Sequence, residues 1–345
     1  MSENRLRIGI LGAGHLGRIH LQQALTVEGL EVVGFHDPDP AKCAGVSEEF
    51  GIPALGSVEA VIEAAQLVDV VTPTLSHHAC AMQAMARGRH VFIEKPLANT
   101  VAEGRELVRM AEASGLCVQV GHVERFNPAF QAAVPSLKDP LFIEGHRLAQ
   151  FNPRGTDVPV ILDLMVHDLD LVLSTVRSTV TAVHASGVAV VSDSPDIANA
   201  RIEFANGCVA NLTASRISLK NMRKMRFFQR DAYISVDMLT KETEIVRMEA
   251  VVGDPDPFAI TLDLGGDKGK RAIQFEKPEV PAINAIREEL RSFTSAVRAG
   301  SAPYVTIQDG FAALELAHRI LERMHENLQR VAPGDRIPTP PTPTL

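Results

Sequence analysis

Asp163 and His167 lie in Val160-Ile161-Leu162-Asp163-Leu164-Met165-Val166-His167-Asp168-Leu169-Asp170-Leu171-Val172-Leu173, a segment that is apolar almost all round. A helix of that composition is buried on most sides. Asp163, His167 and Asp170 recur at i, i+4 and i+7 and share one face. Burying carboxylates and an imidazole needs compensation, so such a stripe lines either a pocket or a satisfied internal network. In the pocket reading His167 is a general base, because its near-neutral pKa suits taking a proton from a hydroxyl. Asp163, one turn away, then orients the imidazole or binds a substrate hydroxyl. Two plainer readings stand beside it. One is a hydrogen-bonded core histidine. The other is a zinc site, for which no third ligand stands out. Lys95 is the second candidate. It follows the apolar run His90-Val91-Phe92-Ile93, so its stem begins near the core. By position alone it is equally a catalytic group, stabilising a developing alkoxide, or an ion-pair partner for Glu94.

A third element concerns phosphate. Ile8-Gly9-Ile10-Leu11 runs into Gly12-Ala13-Gly14-His15-Leu16-Gly17, a G-x-G-x-x-G between a strand and a helix. Gly12 permits the tight turn, Gly14 lets the backbone approach a pyrophosphate, and Gly17 allows close packing of helix on strand. The helix opening at His15 and Leu16 supplies amide donors and a partial positive charge. Asp37 ends the next strand, where its carboxylate suits ribose hydroxyls and repels a 2′-phosphate. That favours NAD over NADP, although the cations His36 and Lys42 are close by. The alternative is a turn glycine cluster with a surface aspartate.

The elements that must position these groups alternate at first between strand and helix. Leu6–Leu11, Glu31–His36, Val68–Thr72, His90–Glu94 and Leu116–Gly121 read as strands, and His15–Leu25, His77–Arg87 and Thr100–Ala113 as helices. Thr100 and Glu103 form a capping box for the last of these. This alternation implies a parallel sheet covered on both faces. Three segments then fall at strand C-terminal ends, where doubly wound sheets bind ligands. They are Thr72-Pro73-Thr74 with His77, Glu94-Lys95-Pro96, and Gly121-His122-Val123-Glu124-Arg125-Phe126-Asn127-Pro128. After Phe126 the pattern changes. A helix near Val158–Leu173 precedes alternating runs, with Asn206-Gly207 marking a tight hairpin between Ile197–Phe204 and Cys208–Ser215. Lys224–Gln229 and Tyr233–Met238 pair similarly about Arg230-Asp231-Ala232. Helices near Ala282–Ala299 and Gln308–Gln329 close a second, mostly antiparallel α/β unit. The second of these helices carries Phe311, Leu314, Ala317, Leu321, Met324 and Leu328 along one side.

The length of 345 residues fits two domains. We place a Rossmann domain at 1–125, a substrate-binding and assembly domain at 126–331, and a Pro- and Thr-rich disordered tail at 332–345. A net charge of −8 argues against nonspecific nucleic-acid binding. Cys43, Cys80, Cys117 and Cys208 form no CxxC pair, as expected of free thiols in a reducing compartment. The N-terminus leads straight into an apolar strand, without a signal-peptide pattern or a membrane-length run, and points to a cytoplasmic protein.

Gly12–Gly17, Thr72-Pro73-Thr74 with His77, Glu94-Lys95-Pro96 and Asp163-x-x-x-His167 stand in an order and spacing that resembles the Gfo/Idh/MocA family of oxidoreductases, over nearly the whole chain to about Gln329. The resemblance implies that Lys95 contacts both cofactor and substrate, with Pro96 in an unusual backbone geometry that places it. It also implies that Asp163 and His167 contact substrate without a metal, and that the antiparallel sheet packs in a homodimer or homotetramer. The Gly-His-Val-Glu-Arg-Phe-Asn-Pro stretch resembles the subgroup that includes UDP-N-acetylglucosamine 3-dehydrogenases, which implies C3 oxidation of a nucleotide-sugar. Glu124, Arg125 and Asn127, with Arg154 from the loop before the helix, become candidate substrate contacts, the arginines for a pyrophosphate. The further cations Arg216, Lys220, Arg223, Lys224 and Arg226 read more simply as a solvated strand edge or a subunit contact. A free-sugar, inositol or other polyol dehydrogenase is the alternative. Outside enzymes, a nicotinamide-sensing regulator would fit, but it needs neither Lys95 nor His167.

Overall fold

The computed structural model describes residues 5–152, 158–192, 194–251, 260–266 and 269–330. Arg154 and the 332–345 tail therefore lie outside the described residues, as does the side chain of Leu328. Two sheets organise the chain, a five-stranded sheet in the order β2-β1-β3-β4-β5 and a nine-stranded one.

In the first sheet, β1 (Leu6–Leu11), β2 (Leu30–His36), β3 (Leu67–Val70), β4 (His90–Glu94) and β5 (Val118–Gly121) are all parallel. They are near-continuous apolar runs because helices cover both faces. The crossovers are α1 (His15–Ala24), α2 (Pro40–Phe50), α3 (Val58–Ala64), α4 (His77–Ala86) and α5 (Val101–Ser114). Every strand expected here is present, and Thr100 and Glu103 form the expected capping box. α2 and α3 were not read from the sequence, although their signals are local. Asp39 accepts from Ala41 N and Lys42 N, Pro40 follows at the first helical position, and Gly51 ends α2 in the left-handed region. Beyond β2 the chain makes one parallel bridge, Phe35 to Ala54, in place of a further strand. Strand order reverses between β1 and β3, so the glycine loop after β1 and the Thr72 loop after β3 flank the crevice where such sheets take ligands.

After α6 (Pro128–Ala133), the second sheet begins with β6 (Phe142–Leu148). The apolar segment singled out above starts as a π-helical turn, Ile161–Met165, and continues as α7 (Val166–Val176). Then follow β7 (Val180–Val188), β8 (Ile197–Phe204), β9 (Val209–Ser215), β10 (Met222–Phe228), β11 (Ala232–Asp237), β12 (Glu242–Ala250), β13 (Ile260–Asp263) and β14 (Lys270–Glu276). The order is β13-β14-β12-β11-β10-β6-β9-β8-β7, antiparallel except for β6 with β9. Both expected hairpins form. α8 (Ala285–Ala299) and α9 (Ile307–Arg330) return the chain to the first sheet. Leu314, Ala317 and Met324 of the apolar stripe on α9 are buried. Gly104 of α5 lets α9 close in: a Cβ there would meet Leu314 at 2.8 Å and Phe311 at 3.0 Å. α9 also packs on β7, α7 and β5 and so ties the second unit to the first sheet.

Candidate active site

The glycine loop is shaped by what its neighbours exclude. Gly12 sits at φ +101°, and a Cβ there would lie 2.6 Å from the Val71 carbonyl oxygen. A Cβ on Gly17 would lie 2.1 Å from the Gly12 carbonyl oxygen, so the first turn of α1 rests directly on the loop. At Gly14 a Cβ would meet nothing within 4 Å. The loop is thus tight where it packs and open where a pyrophosphate approaches the amides at His15 and Leu16. Asp37 bridges the loop to β2: its Oδ2 accepts from Ala13 N at 2.9 Å and its Oδ1 from Asp39 N at 3.0 Å. Each oxygen keeps a further lone pair for a ribose hydroxyl. His36 is turned away onto the Leu55 carbonyl, leaving Lys42, 3.8 Å from Asp37, as the nearby cation. These residues fit NAD. Gly17→Ala is expected to weaken NAD binding at least tenfold and to cost about 1–3 kcal/mol of stability, as overpacking does. Calorimetric NAD titration with a denaturant midpoint checks it.

Two loops at the strand ends are tied together by His77. Its Nδ1 and Nε2 lie 2.9 Å from the Pro96 and Thr72 carbonyl oxygens. Burial pushes its pKa down. Pro73 and Thr74 complete the turn between them, and the Lys95–Pro96 peptide is cis. Glu94 does not reach into the crevice. Its Oε1 lies 3.1 Å from His20 Nε2 and its Oε2 accepts from Lys95 N. His20 Nδ1 meets Asp69 at 2.9 Å. Burial opposes charge on His20 more than any other single influence, yet Asp69 and Glu94 together outweigh it and hold its pKa well above the usual range. Glu94 is therefore engaged beneath the loop, and Lys95 is free to turn elsewhere.

Lys95 crosses to the π-helical turn. Its Nζ donates to the Asp163 carbonyl oxygen at 2.8 Å and lies 3.6 Å from Asp163 Oδ1. Of the two roles open to it in the sequence, ion pairing with Glu94 is not the one the structure shows. Lys95, Asp163, His167 and Glu124 line one cavity of about 290 Å³ with Arg147, Asn221 and Arg223. A π turn inside a helix recurs at functional sites, and here it carries Asp163. No hydrogen bond joins Asp163 to His167, so Asp163 does not orient the imidazole. His167 Nδ1 is buried with no partner. Burial, followed by the charges of Lys95 and Arg147, holds the His167 pKa well below the usual histidine value. The imidazole is neutral near pH 7 and able to accept a proton. His122 behind it is buried with both ring nitrogens unpartnered, and burial lowers its pKa too.

The other expected substrate contacts separate. Arg125 is buried, and its Nε and Nη2 donate to both oxygens of Asp170 at 2.8 and 2.7 Å. Asp170 thus leaves the stripe shared with Asp163 and His167 to neutralise it. Asn127 donates to Glu124 and to the Met238 carbonyl and caps α6. Neither lines the cavity. Glu124 does, held by Arg147 Nη1 at 2.8 Å, while Arg147 Nη2 takes Asp168 at 2.7 Å. Removing one partner of such a buried group strands the others' charge. Arg147→Met is expected to cost about 3–5 kcal/mol, read from urea denaturation.

Arg147, Asn221, Arg223 and His122 were not among the expected site residues. Arg147 had a local signal: Ile143, Gly145 and Arg147 alternate inward on β6, and a charge in that series needs a buried partner. Among the described residues no group of His, Cys, Asp and Glu could hold a metal, and no helix is long and apolar enough to cross a membrane.

Residues 6–122 match the model of the GFO/IDH/MocA oxidoreductase family with its NAD-binding Rossmann fold, and residues 142–235 match that family's C-terminal domain. The chain is 34% identical over 326 residues to UDP-N-acetylglucosamine 3-dehydrogenase of Acidithiobacillus ferrooxidans, covering 94% of this chain and 99% of that one. The solved structure of that enzyme superposes with a TM-score of 0.84 over the same shares of the two chains. scyllo-Inositol 2-dehydrogenase (NAD(+)) of Bacillus subtilis is 28% identical over 63% of this chain and 69% of its own.

Proposed function

Because the chain belongs to the Gfo/Idh/MocA family of NAD-binding oxidoreductases, we propose that it oxidises the C3 hydroxyl of UDP-N-acetylglucosamine, or of a closely related nucleotide-sugar, to the ketone. The observation that carries this reading is the convergence of Lys95, Asp163 and His167 on one cavity past the C-terminal end of β4, in the same parallel sheet whose β1 leads into the glycine loop. Similarity to UDP-N-acetylglucosamine 3-dehydrogenase along 99% of that protein supports the substrate.

Bound NAD supplies the hydride acceptor, nicotinamide C4. The chain's own residues handle the proton and the charge. His167, neutral and partly desolvated, takes the hydroxyl proton as the carbon–hydrogen bond breaks. Lys95 Nζ stabilises the oxygen's developing negative charge. Asp163 holds Lys95 Nζ in place and accepts from a neighbouring sugar hydroxyl. The sum is secondary alcohol and NAD⁺ to ketone, NADH and a proton. The same groups run the reaction backward.

We assign cofactor binding to residues 1–125 and substrate binding and assembly to 126–331 of a cytoplasmic homo-oligomer. The outer face of the large sheet supports the assembly role. Phe142, Phe228, Tyr233, Val246 and Phe275 stand opposite one another across five strands, and Phe228 and Phe275 are exposed. The deciding experiment follows NADH absorbance with UDP-N-acetylglucosamine, UDP-glucose, free sugars and inositol, with a carbonyl trap to draw off the ketone. Turnover confined to the N-acetylated nucleotide-sugar is the expected result. Turnover of inositol or a free sugar instead would replace the substrate and keep the chemistry.

A further inference from the structure

We propose that Arg223, with Asn221 beside it, binds the diphosphate of the substrate at the mouth of the Lys95–His167 cavity and so selects phosphorylated sugars over free ones. The inference rests on the nucleotide-sugar reading above and deepens it.

Of the five cations that were candidates near this region, Lys220 is exposed in the loop before β10 and does not line the cavity, and the structure separates the other four. Arg226 pairs with Glu144 at 2.9 Å on the opposite face of the sheet. Arg216 is buried and donates to the Val158 carbonyl. Lys224 alternates with Arg223 and so faces away from the cavity. Arg223 shares its face with Met225 and Phe227, both buried, and is the first inward position of the strand, at its exposed start. It lines the cavity together with Lys95 and His167.

The arginines nearby are already spent. Arg125 is held by both oxygens of Asp170. Arg147 gives Nε and Nη2 to Asp168 and Nη1 to Glu124. The Arg223 side chain is 51% exposed, and its ion-pair contact is Glu124 at 3.8 Å, beyond hydrogen-bond length. Its fork of donors is therefore open toward the cavity mouth. Arg223 also stands directly across from Arg147 in the β6–β10 ladder. Like charges directly opposite on one sheet face are destabilising. Arg147 is already outnumbered by Glu124 and Asp168, so Arg223 offsets their excess charge only at a distance and keeps its donors for a ligand. Asn221 has its Oδ1 engaged by Gln150 N at 2.9 Å, which aims the amide and leaves its nitrogen to donate.

The cavity volume agrees. At about 290 Å³ it is at the small end of ligand sites, which run to roughly 1,000 Å³. It holds one sugar ring and leaves the nucleoside outside, so the diphosphate crosses the mouth where Arg223 stands. A guanidinium fork matches phosphate oxygens better than an ammonium does.

The test compares wild type, Arg223→Met and Arg223→Lys with UDP-N-acetylglucosamine, N-acetylglucosamine 1-phosphate and N-acetylglucosamine, with UDP and uridine as inhibitors. Arg223→Met is expected to raise KM for UDP-N-acetylglucosamine, and the inhibition constant of UDP, by about 10- to 100-fold, with kcat changing far less. Arg223→Lys should recover part of both. The sugar 1-phosphate separates a single phosphate contact from a diphosphate one: a loss as large as that for the nucleotide-sugar would limit the contact to the inner phosphate and overturn the diphosphate assignment. A merely structural Arg223, offsetting Glu124, would lower the denaturation midpoint and leave KM and UDP inhibition unmoved, which overturns the inference and spares the proposed function. If Arg223→Met does not fold, wild-type inhibition decides: UDP and uridine binding equally well would overturn it. A wild type that turns over free sugar and no phosphorylated one fails the functional reading itself.

Discussion

Lys95→Met is expected to lower kcat by about 10²–10³-fold, the loss typical when one donor to a developing oxyanion is removed. Its Nζ lies between the Asp163 carbonyl and carboxylate and has a third hydrogen to offer into the cavity. The nearby positive charge of Arg147 is already absorbed by Asp168 and Glu124. No other lysine lines the cavity, and Arg223 stands at its mouth rather than against Asp163, so no group takes the place of the ammonium when it is lost. NAD affinity should fall far less than turnover, because the glycine loop and Asp37 keep their places. Stopped-flow or steady-state NADH formation measures the first quantity, and fluorescence titration the second. A Lys95→Met protein retaining more than a tenth of wild-type kcat would remove Lys95 from the chemistry. A wild type that binds NAD tightly but turns over no sugar, polyol or nucleotide-sugar would favour a cofactor-sensing protein.

The second large effect is at His167. His167→Asn keeps the approximate shape and removes the base, and is expected to cost roughly 10²–10⁴-fold in kcat, the usual contribution of general base catalysis. The pH profile should carry a distinct signature. Proton acceptance needs the neutral imidazole, which is populated above the group's pKa. Burial first, then Lys95 and Arg147, hold that pKa well below 6.5. The acid limb of kcat/KM for oxidation should therefore lie below pH 6.5, with activity still flat as pH falls through the ordinary histidine value. Lys95→Met removes one of the depressing charges, so the limb of its residual activity should move upward. In His167→Asn that limb should disappear. A wild-type limb at or above pH 6.5, unchanged in His167→Asn, would assign the titration and the base to another group.

The two variants also separate the reaction from the scaffold. Neither side chain belongs to the large buried charge networks, His20 with Asp69 and Glu94, or Arg147 with Glu124 and Asp168. Both should fold, whereas Arg147→Met should be the destabilised protein.

Much of this was present in the linear order of residues. The parallel sheet was legible because its strands are short, mostly apolar runs alternating with helical spacing, with a start signal such as Thr100 and Glu103 at α5. The glycine loop and Asp37 were legible because the constraint on them is local: a turn, a close helix contact and a carboxylate at the next strand end. The antiparallel hairpins announced themselves through Asn206-Gly207 and the Arg230-Asp231-Ala232 turn. Asp163 and His167 stood out because polar groups interrupt an otherwise apolar helix.

What each polar group does there was decided by tertiary structure. Asp170 has the same helical phase as His167, yet it neutralises Arg125, because β5 brings that arginine under the helix. Glu94 and Lys95 are neighbours in sequence, yet one turns down to His20 and the other across to Asp163. Arg147 and Arg223 are distant in sequence and meet only through the β6–β10 ladder, so neither could be placed at the site from its own surroundings. Helix and strand periodicity fix which face a residue occupies over one or two turns. The partner on that face comes from another element, and for charged groups the partner determines whether the charge is spent on the fold or left available to a substrate.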